Sequence, residues 1–127
     1  MSGSPSKCRA KGYRAERELV SMLRDRGWAA WRIPTSASSA EPLPDVVAVK
    51  GSQLVAFEVK YRTKNKGHAY ARVEKDQIEK LSAFLAPFAL YERRAVVALR
   101  VRGRWIFKQA TGGAVSVRDQ EENEWSP

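Results

Sequence analysis

Two adjacent segments, DVVAVK at residues 45–50 and QLVAFEVKY at residues 53–61, are largely apolar on both faces of the strands that they predict. Strands at the surface of a sheet alternate apolar and polar side chains, whereas strands covered on both faces are apolar throughout. Gly51 and Ser52 predict a tight turn between the segments, which makes the two strands antiparallel neighbours. The segments therefore predict the centre of a sheet that other elements cover on both sides.

Two helical segments, residues 7–26 and residues 73–85, are the predicted cover. In each segment, apolar side chains recur every three or four positions and form one stripe. The stripe residues are Ala15, Leu19, Met22 and Leu23 in the first helix, and Ile78, Leu81 and Leu85 in the second. Each helix therefore has one face suited to packing on a sheet.

Three further strands are predicted at residues 28–33, 94–101 and 104–109, and Gly103 marks the turn between the last two. Strands that are apolar on both faces are central strands covered by helices. We therefore expect an α/β fold in which one mixed β-sheet of about five strands is flanked by helices.

The chain length suits a single domain over residues 1–127, with residues 1–6 and about 110–127 loosely ordered. Cys8 is the only cysteine and His68 the only histidine, so neither an intrachain disulfide nor a cysteine zinc site is expected. No apolar run approaches the roughly 20 residues that a membrane helix needs. We expect a cytoplasmic protein without a membrane partner.

The chain is strongly basic. Its 23 Lys and Arg residues outnumber 14 Asp and Glu residues, which gives a formal net charge of +9. A small domain with this charge attracts polyanions. Nucleic acid is the leading partner and an acidic membrane surface the second, while the alternative is a basic surface without a partner.

Charged residues interrupt the apolar strand at residues 53–61. Side chains two positions apart share a face of a strand, so Glu58 and Lys60 project in the same direction. Asp45 follows Pro44 at the start of the neighbouring strand, and counting outwards from the turn brings it opposite a residue near Glu58. Burying charges costs several kcal/mol each unless they are paired or bind a metal. The two carboxylates can share a hard divalent cation such as Mg²⁺.

These residue types suit phosphodiester hydrolysis. A metal between Asp45 and Glu58 would lower the pKa of an attacking water and polarise the phosphoryl oxygen. Lys60 would orient that water or neutralise developing charge. Glu16 falls on the apolar side of the first helix, from which it could complete the metal shell directly or through water.

Two structural alternatives remain open from the residues alone. Glu58 and Lys60 could form a salt bridge at a sheet edge, with Asp45 as a turn residue. Glu16 could be a solvated carboxylate whose partners are the arginines of its own helix, namely Arg9, Arg17 and Arg24.

The chain resembles two known groups of proteins. Pro44-Asp45 and Glu58-Val59-Lys60 resemble the PD-(D/E)xK pattern of the restriction-endonuclease-like fold. Four segments, spread in order over roughly residues 9–107, resemble the archaeal-type Holliday junction resolvases. The segments are KGYRAERELVSMLRDRGWAAWRIPTSAS, LPDVVAVK, FEVKYR and YARVEKDQIEKLSAFL.

This resemblance implies a restriction-endonuclease-like fold, a homodimer, and cutting of four-way DNA junctions with Mg²⁺, for which Mn²⁺ is expected to substitute. It implies no small-molecule substrate. The matching catalytic residues are Glu16, Ser36, Asp45, Glu58 and Lys60, with Ser36 near the scissile phosphate. The expected metal ligands are Glu16, Asp45, Glu58 and Val59.

Basic residues predict the DNA-binding surface, because phosphate contacts supply affinity and position. One cluster lies in the first helix and another between residues 62 and 75, while three residues match family positions near the site. The predicted DNA-binding residues are Lys7, Arg9, Lys11, Arg14, Arg17, Arg32, Arg62, Lys64, Lys66, Arg72, Lys75 and Gln77. The alternative for each cluster is a solvated face.

Aromatic residues in the predicted strands are expected to have structural roles. Trp28, Trp31 and Trp105 are expected in the core or at a subunit interface rather than as platforms for bases. An apolar dimer patch is expected at Phe84, Phe88, Trp105 and Phe107.

Three functions compete at this point. They are a dimeric junction resolvase, a nuclease of the same fold with another DNA target, and a DNA-binding protein without catalysis. The set of Asp45, Glu58 and Lys60 argues against the last, since binding alone does not need a buried metal site.

Overall fold

The computed structural model describes residues 5–34 and 41–127, with side chains from Tyr13 onwards in the first helix. Two helices and seven strands form in these residues. The elements are α1 (Pro5–Asp25), β1 (Ala29–Arg32), β2 (Val46–Lys50), β3 (Gln53–Tyr61), β4 (Tyr70–Val73), α2 (Lys75–Leu85), β5 (Glu92–Val101), β6 (Arg104–Gln109) and β7 (Val115–Arg118).

The main sheet has five strands in the order β1-β2-β3-β5-β6. Strands β3 and β5 are parallel, and the other pairs are antiparallel. The parallel pair requires a crossover, and α2 lies within it. The two apolar strands predicted to be central are therefore at the second and third positions of a mixed sheet, as expected.

Each face of the sheet is covered by one helix. Leu19 and Leu23 of α1 pack with Phe57 of β3 on one face. Ile78 and Leu81 of α2 pack on the other face in a separate apolar cluster. Strand β3 is thus apolar on both sides because both sides are buried, which confirms the predicted layers.

The β2–β3 hairpin has the predicted turn. Lys50 pairs with Gln53 and Val46 with Phe57, and Gly51 has a positive φ of 59°. Glycine adopts this left-handed conformation at no steric cost, which makes a tight hairpin turn possible. The turn sets the register of both strands and therefore the position of the carboxylates at the far end.

Two predictions about the periphery are wrong. No strand is predicted between residues 61 and 73, and residues from about 110 onward are predicted to be loosely ordered, but β4 and β7 pair in a second, two-stranded sheet. Val73, expected in the second helix, ends β4 and is fully buried. Each strand has only four residues, too few for a clear alternation, and each is stabilised by the other from a distant part of the chain.

The last residues of the chain are also ordered against the core. Trp125 is buried, with its ring edge-to-face against Trp28, Phe57 and Phe107. Phe107 donates its backbone N–H to Asn123 Oδ1 at 2.8 Å and accepts the N–H of Glu124 at 2.8 Å. The tail therefore runs along the outer edge of β6 and closes the α1 face of the sheet.

None of the helices within the described residues is long and apolar enough to cross a membrane.

Candidate active site

Asp45 lies where β2 begins, just beyond the last residue pair of the β2–β3 ladder. Its backbone N–H donates to the carbonyl oxygen of Phe57 at 2.9 Å. Its carboxylate reaches across to β3, where Oδ2 accepts the backbone N–H of Val59 at 2.8 Å. Two contacts to one strand therefore fix both the backbone and the carboxylate of Asp45 beside Glu58.

Glu58 and Lys60 project from β3 on the face that α2 covers. Their side chains are 14% and 22% exposed, and Lys60 Nζ lies 3.5 Å from Glu58 Oε1. The residue pairs of β3 with β2 end at Phe57, whereas those with β5 continue through Tyr61, so this ion pair lies beyond the end of the β2 ladder. The predicted ion pair between Glu58 and Lys60 therefore exists, at the end of the sheet.

Asp45, Glu58 and Lys60 together have an excess of negative charge, because two carboxylates lie beside one ammonium group. Burial and the neighbouring Asp45 carboxylate raise the pKa of Glu58 to about 7, despite the Lys60 ammonium group beside it. Burial also raises the pKa of Asp45, although the hydrogen bond from the Val59 N–H opposes this effect. Lys60 thus does not fully compensate two ionised carboxylates, and a divalent cation would.

The donor chemistry of this end of the sheet fits a hard metal ion. Asp45 and Glu58 offer carboxylate oxygens, and Val59, whose side chain is apolar, offers its backbone carbonyl oxygen. Across residues 5–34 and 41–127, no three His, Cys, Asp or Glu side chains come together closely enough to form a metal site. Glu16 is therefore not part of one compact cluster with the other two carboxylates.

Glu16 lies on α1, the helix that covers the face of the sheet opposite to Glu58 and Lys60. Its side chain is 13% exposed, and Oε1 accepts a hydrogen bond from Arg32 Nε at 2.8 Å. Burial and then the Asp45 carboxylate raise the pKa of Glu16, while Arg32 and Arg17 oppose this rise. Glu16 is thus half-buried and electrostatically coupled to Asp45, and Arg32 of β1 is its hydrogen-bonded partner.

The predicted basic residues divide into paired and unpaired groups. Lys64 lies 3.6 Å from Asp119, Arg72 lies 2.9 Å from Glu74 and Lys75 lies 3.8 Å from Glu79. No ion pair with an acidic side chain is present for Arg14, Arg17, Arg62 or Lys66, all exposed within the described part of the chain. Gln77 is half-buried on α2. Ser36 lies outside the described residues, as do the side chains of Lys7, Arg9 and Lys11.

Two arginines outside the predicted DNA-binding set lie beside α1. Arg100 and Arg102 line a cleft of about 180 Å³ with Arg14 and Glu18, and Arg100 Nε donates to Glu18 Oε2 at 2.7 Å. Arg100 lies in an otherwise apolar strand and Arg102 in a hairpin turn, so neither stands out as part of a basic cluster in the sequence. The pattern that could have indicated them is the recurrence of arginine at every second position in ALRVRGR.

Comparison with known proteins identifies the family. The model of the archaeal Holliday junction resolvase (Hjc) family matches residues 7–121. This chain belongs to that family. The match covers the helices, both sheets and the site described above, and it confirms the resemblance seen in the sequence.

Individual relatives agree with this assignment. A crossover junction endodeoxyribonuclease, Hje, of Sulfolobus acidocaldarius is 46% identical over 91 residues, which cover 72% of this chain and 62% of the relative. The Hje enzyme of Saccharolobus solfataricus is 40% identical over 112 residues, covering 88% and 75%. The aligned part of this chain thus spans between three fifths and three quarters of these curated relatives.

Solved structures confirm the fold class. The Holliday junction resolvase Hjc of Archaeoglobus fulgidus has a TM-score of 0.71 at 31% identity, covering 85% of this chain and 88% of that one. A bacterial homing endonuclease has a TM-score of 0.53 at 13% identity, covering 98% of this chain and 83% of that one. The second likeness concerns the fold alone.

Proposed function

We propose that this protein is a structure-specific DNA endonuclease that resolves four-way junctions by paired, metal-dependent hydrolysis of phosphodiester bonds. The observation that carries the proposal is the buried Asp45–Glu58 pair with Lys60 beside it, in a chain of the archaeal Holliday junction resolvase family. Relatives of this chain are named crossover junction endodeoxyribonucleases.

The metal in this proposal is Mg²⁺, with Mn²⁺ as a substitute. Bound at this site, it would polarise the phosphoryl oxygen and make the attacking water more acidic. Asp45, Glu58 and the carbonyl oxygen of Val59 would be its protein ligands. Glu16 would contribute through a water molecule, since its carboxylate is paired with Arg32.

The side chains around the pair have distinct tasks. The Val59 N–H fixes the orientation of Asp45, whose carboxylate lies beside Glu58 and would act as a ligand together with it. The Lys60 ammonium group lies next to Glu58 and would orient the attacking water or neutralise the charge that develops on the phosphate. Ser36 is expected near the scissile phosphate.

The substrate in this proposal is recognised through its backbone and its shape. A net charge of +9 and the exposed arginines and lysines favour contacts to phosphates, which carry no sequence information. Arg14, Arg17, Arg62 and Lys66 are the best placed of the predicted residues, because no acidic side chain pairs with them within the described part of the chain. The location proposed is the cytoplasm.

A homodimer is proposed because two related sites can cut two opposed strands of a junction with twofold symmetry. The predicted apolar patch needs correction, since Phe107 is buried in the core and Trp105 stacks on it. Phe88, a member of the predicted patch, is exposed after the end of α2, and so are Leu90 and Tyr91, which follow it in the chain. Phe84 contacts Phe88, and these four residues form the proposed dimer contact.

The proposed site is tested with Asp45→Asn and Glu58→Gln. Each change removes a metal ligand but no apolar contact, so junction cutting in Mg²⁺ should fall at least about 100-fold. Junction binding in EDTA, measured by gel shift, should stay within about three-fold. The control is Glu122→Gln, an exposed carboxylate in the tail. Equal losses of binding and cutting would instead assign Asp45 and Glu58 a folding role.

A further inference from the structure

Trp31 is expected in the core or at a subunit interface, and the exposure of 51% of its surface in the single chain excludes the core. In β1, Ala30 points into the core under α1 and is buried, so Trp31 points to the opposite face of the sheet. Arg32 again faces α1, where it pairs with Glu16. The indole therefore projects from the face that also carries Glu58 and Lys60.

The strand register gives the position of Trp31 relative to the active site. Trp31 is opposite Val47, which is opposite Ala56 of β3. Asp45 and Glu58 are each two residues away from these partners, hence on the same face. The N–H of Ile33 donates to the carbonyl oxygen of Asp45 at 2.8 Å, which continues the same register. Trp31 is thus a diagonal neighbour of Asp45 on the adjacent strand, and residues in this relation are about 7–8 Å apart.

Among residues 5–34 and 41–127, no helix covers Trp31, which keeps half of its surface exposed. Helix α2 packs on β3 and β5, and β1 is the outermost strand on the other side of the sheet. The indole therefore forms a flat apolar surface between the catalytic carboxylates and the sheet edge.

We infer that Trp31 stacks against a nucleobase next to the phosphate bound at Asp45 and Glu58, and that this contact favours branched over linear DNA. The inference rests on the proposed function. Inside a linear duplex both faces of each base pair are covered by neighbouring pairs, whereas bases at a branch can offer a free face. Stacking on an aromatic ring accepts any base, which suits an enzyme that reads shape.

The test compares Trp31→Leu and Trp31→Ala with Trp31→Phe. The matched control is Tyr70→Ala, because Tyr70 is 47% exposed and belongs to the second sheet. Binding to a four-way junction and to a linear duplex of the same sequence is measured in EDTA. A 2-aminopurine at the branch reports stacking through its fluorescence, and cutting is measured in Mg²⁺. Melting temperatures check that each variant is folded.

We expect the Leu and Ala variants to bind the junction about ten-fold more weakly or worse, since one base stacked on an aromatic ring contributes about this much. Duplex binding should change less than about two-fold, and the 2-aminopurine signal seen with wild type should be lost. The Phe variant should retain most of the binding and the signal. The Tyr70 variant should behave as wild type.

Other outcomes distinguish a failure of the role inferred for Trp31 from a failure of the proposed function. If wild type cuts the junction and the Leu and Ala variants bind and cut it equally well, the role of Trp31 is refuted while the proposed function stands. Equal weakening on junction and duplex would also refute it, because Trp31 would then be a general DNA contact. A change of oligomeric mass in the variants would make Trp31 an interface between copies. If wild type itself fails to cut, the proposed function fails first.

Discussion

At the scale of single residues, the site combines one well-satisfied carboxylate with one that is poorly compensated. Asp45 accepts a backbone N–H, whereas Glu58 lies 3.5 Å from Lys60 and directly beside the Asp45 carboxylate. The raised pKa of Glu58, about 7, is the consequence of its burial and of the repulsion from Asp45. Without a metal, ionised Glu58 should therefore destabilise the fold.

The sign of this effect follows from linkage. Below about pH 4.5 Glu58 is protonated in both states, and between 4.5 and about 7 the unfolded chain loses the proton first. Stability should therefore fall as the pH rises through this window, by at most about 3 kcal/mol. Glu58→Gln should be more stable than wild type at pH 8 in EDTA, and this gain should nearly vanish at pH 4.5.

Urea unfolding of both proteins at the two pH values measures this difference, with Glu122→Gln as the exposed control. If Glu58→Gln is less stable than wild type at pH 8, the ion pair with Lys60 outweighs the repulsion from Asp45. Glu58 would then be a structural residue.

Glu16 and Glu18 differ in a way that a matched pair of variants can measure. Glu16 pairs with Arg32 near Asp45, whereas Glu18 pairs with Arg100 on another side of α1. Glu16→Gln should lower single-turnover junction cutting at least about ten-fold, because a group coupled to the proposed metal site is lost. Glu18→Gln should leave cutting unchanged and cost up to about 1 kcal/mol of stability. The reverse order of effects on cutting would remove Glu16 from the site.

The residues of the site could be predicted to different degrees. Alternation along one apolar strand was enough to bring Glu58 and Lys60 to one face, and counting from Gly51 was enough to bring Asp45 beside them. The partner of Glu16 could not be predicted, because Arg32 lies in β1 and meets α1 only when the chain is folded. The exposure of Trp31 also depended on the position of β1 at the sheet edge, which local sequence does not specify.

At the scale of elements, prediction succeeded where one local pattern decides the structure. Strands β3 and β6 have the predicted bounds, since long apolar runs end at clear turns. Strands β4 and β7 were missed because they stabilise each other over a long separation in the chain. The tail was misjudged for a similar reason, as its acidic residues suggested solvent while Trp125 packs into the core.

The ordered tail leads to a prediction about stability. Trp125 contacts three aromatic rings of the core beneath α1, so Trp125→Ala should cost about 3–5 kcal/mol of unfolding free energy. Urea unfolding measures the change, and Ser126→Ala at an exposed neighbour is the control. An unchanged midpoint for Trp125→Ala would mean that the tail is loosely ordered after all.

At the scale of the whole molecule, the apolar core and the charged candidate site occupy different parts of the sheet. The two helices bury the sheet from both sides, while the start of β2 leaves a charged site at the sheet end. The family match and the excess of positive charge support the proposal that this site acts on branched DNA. A dimer with two such sites would act on two strands of one junction.

The most direct test of this account is a gel assay of an end-labelled four-way junction and a linear duplex of the same sequence, each incubated with wild type in Mg²⁺ and in EDTA. The account predicts two symmetric nicks in opposed strands of the junction, only in Mg²⁺, and little cutting of the duplex. Equal cutting of both substrates would contradict the junction specificity. Binding without cutting under every divalent metal would contradict the assignment of Asp45, Glu58 and Lys60 as a nuclease site.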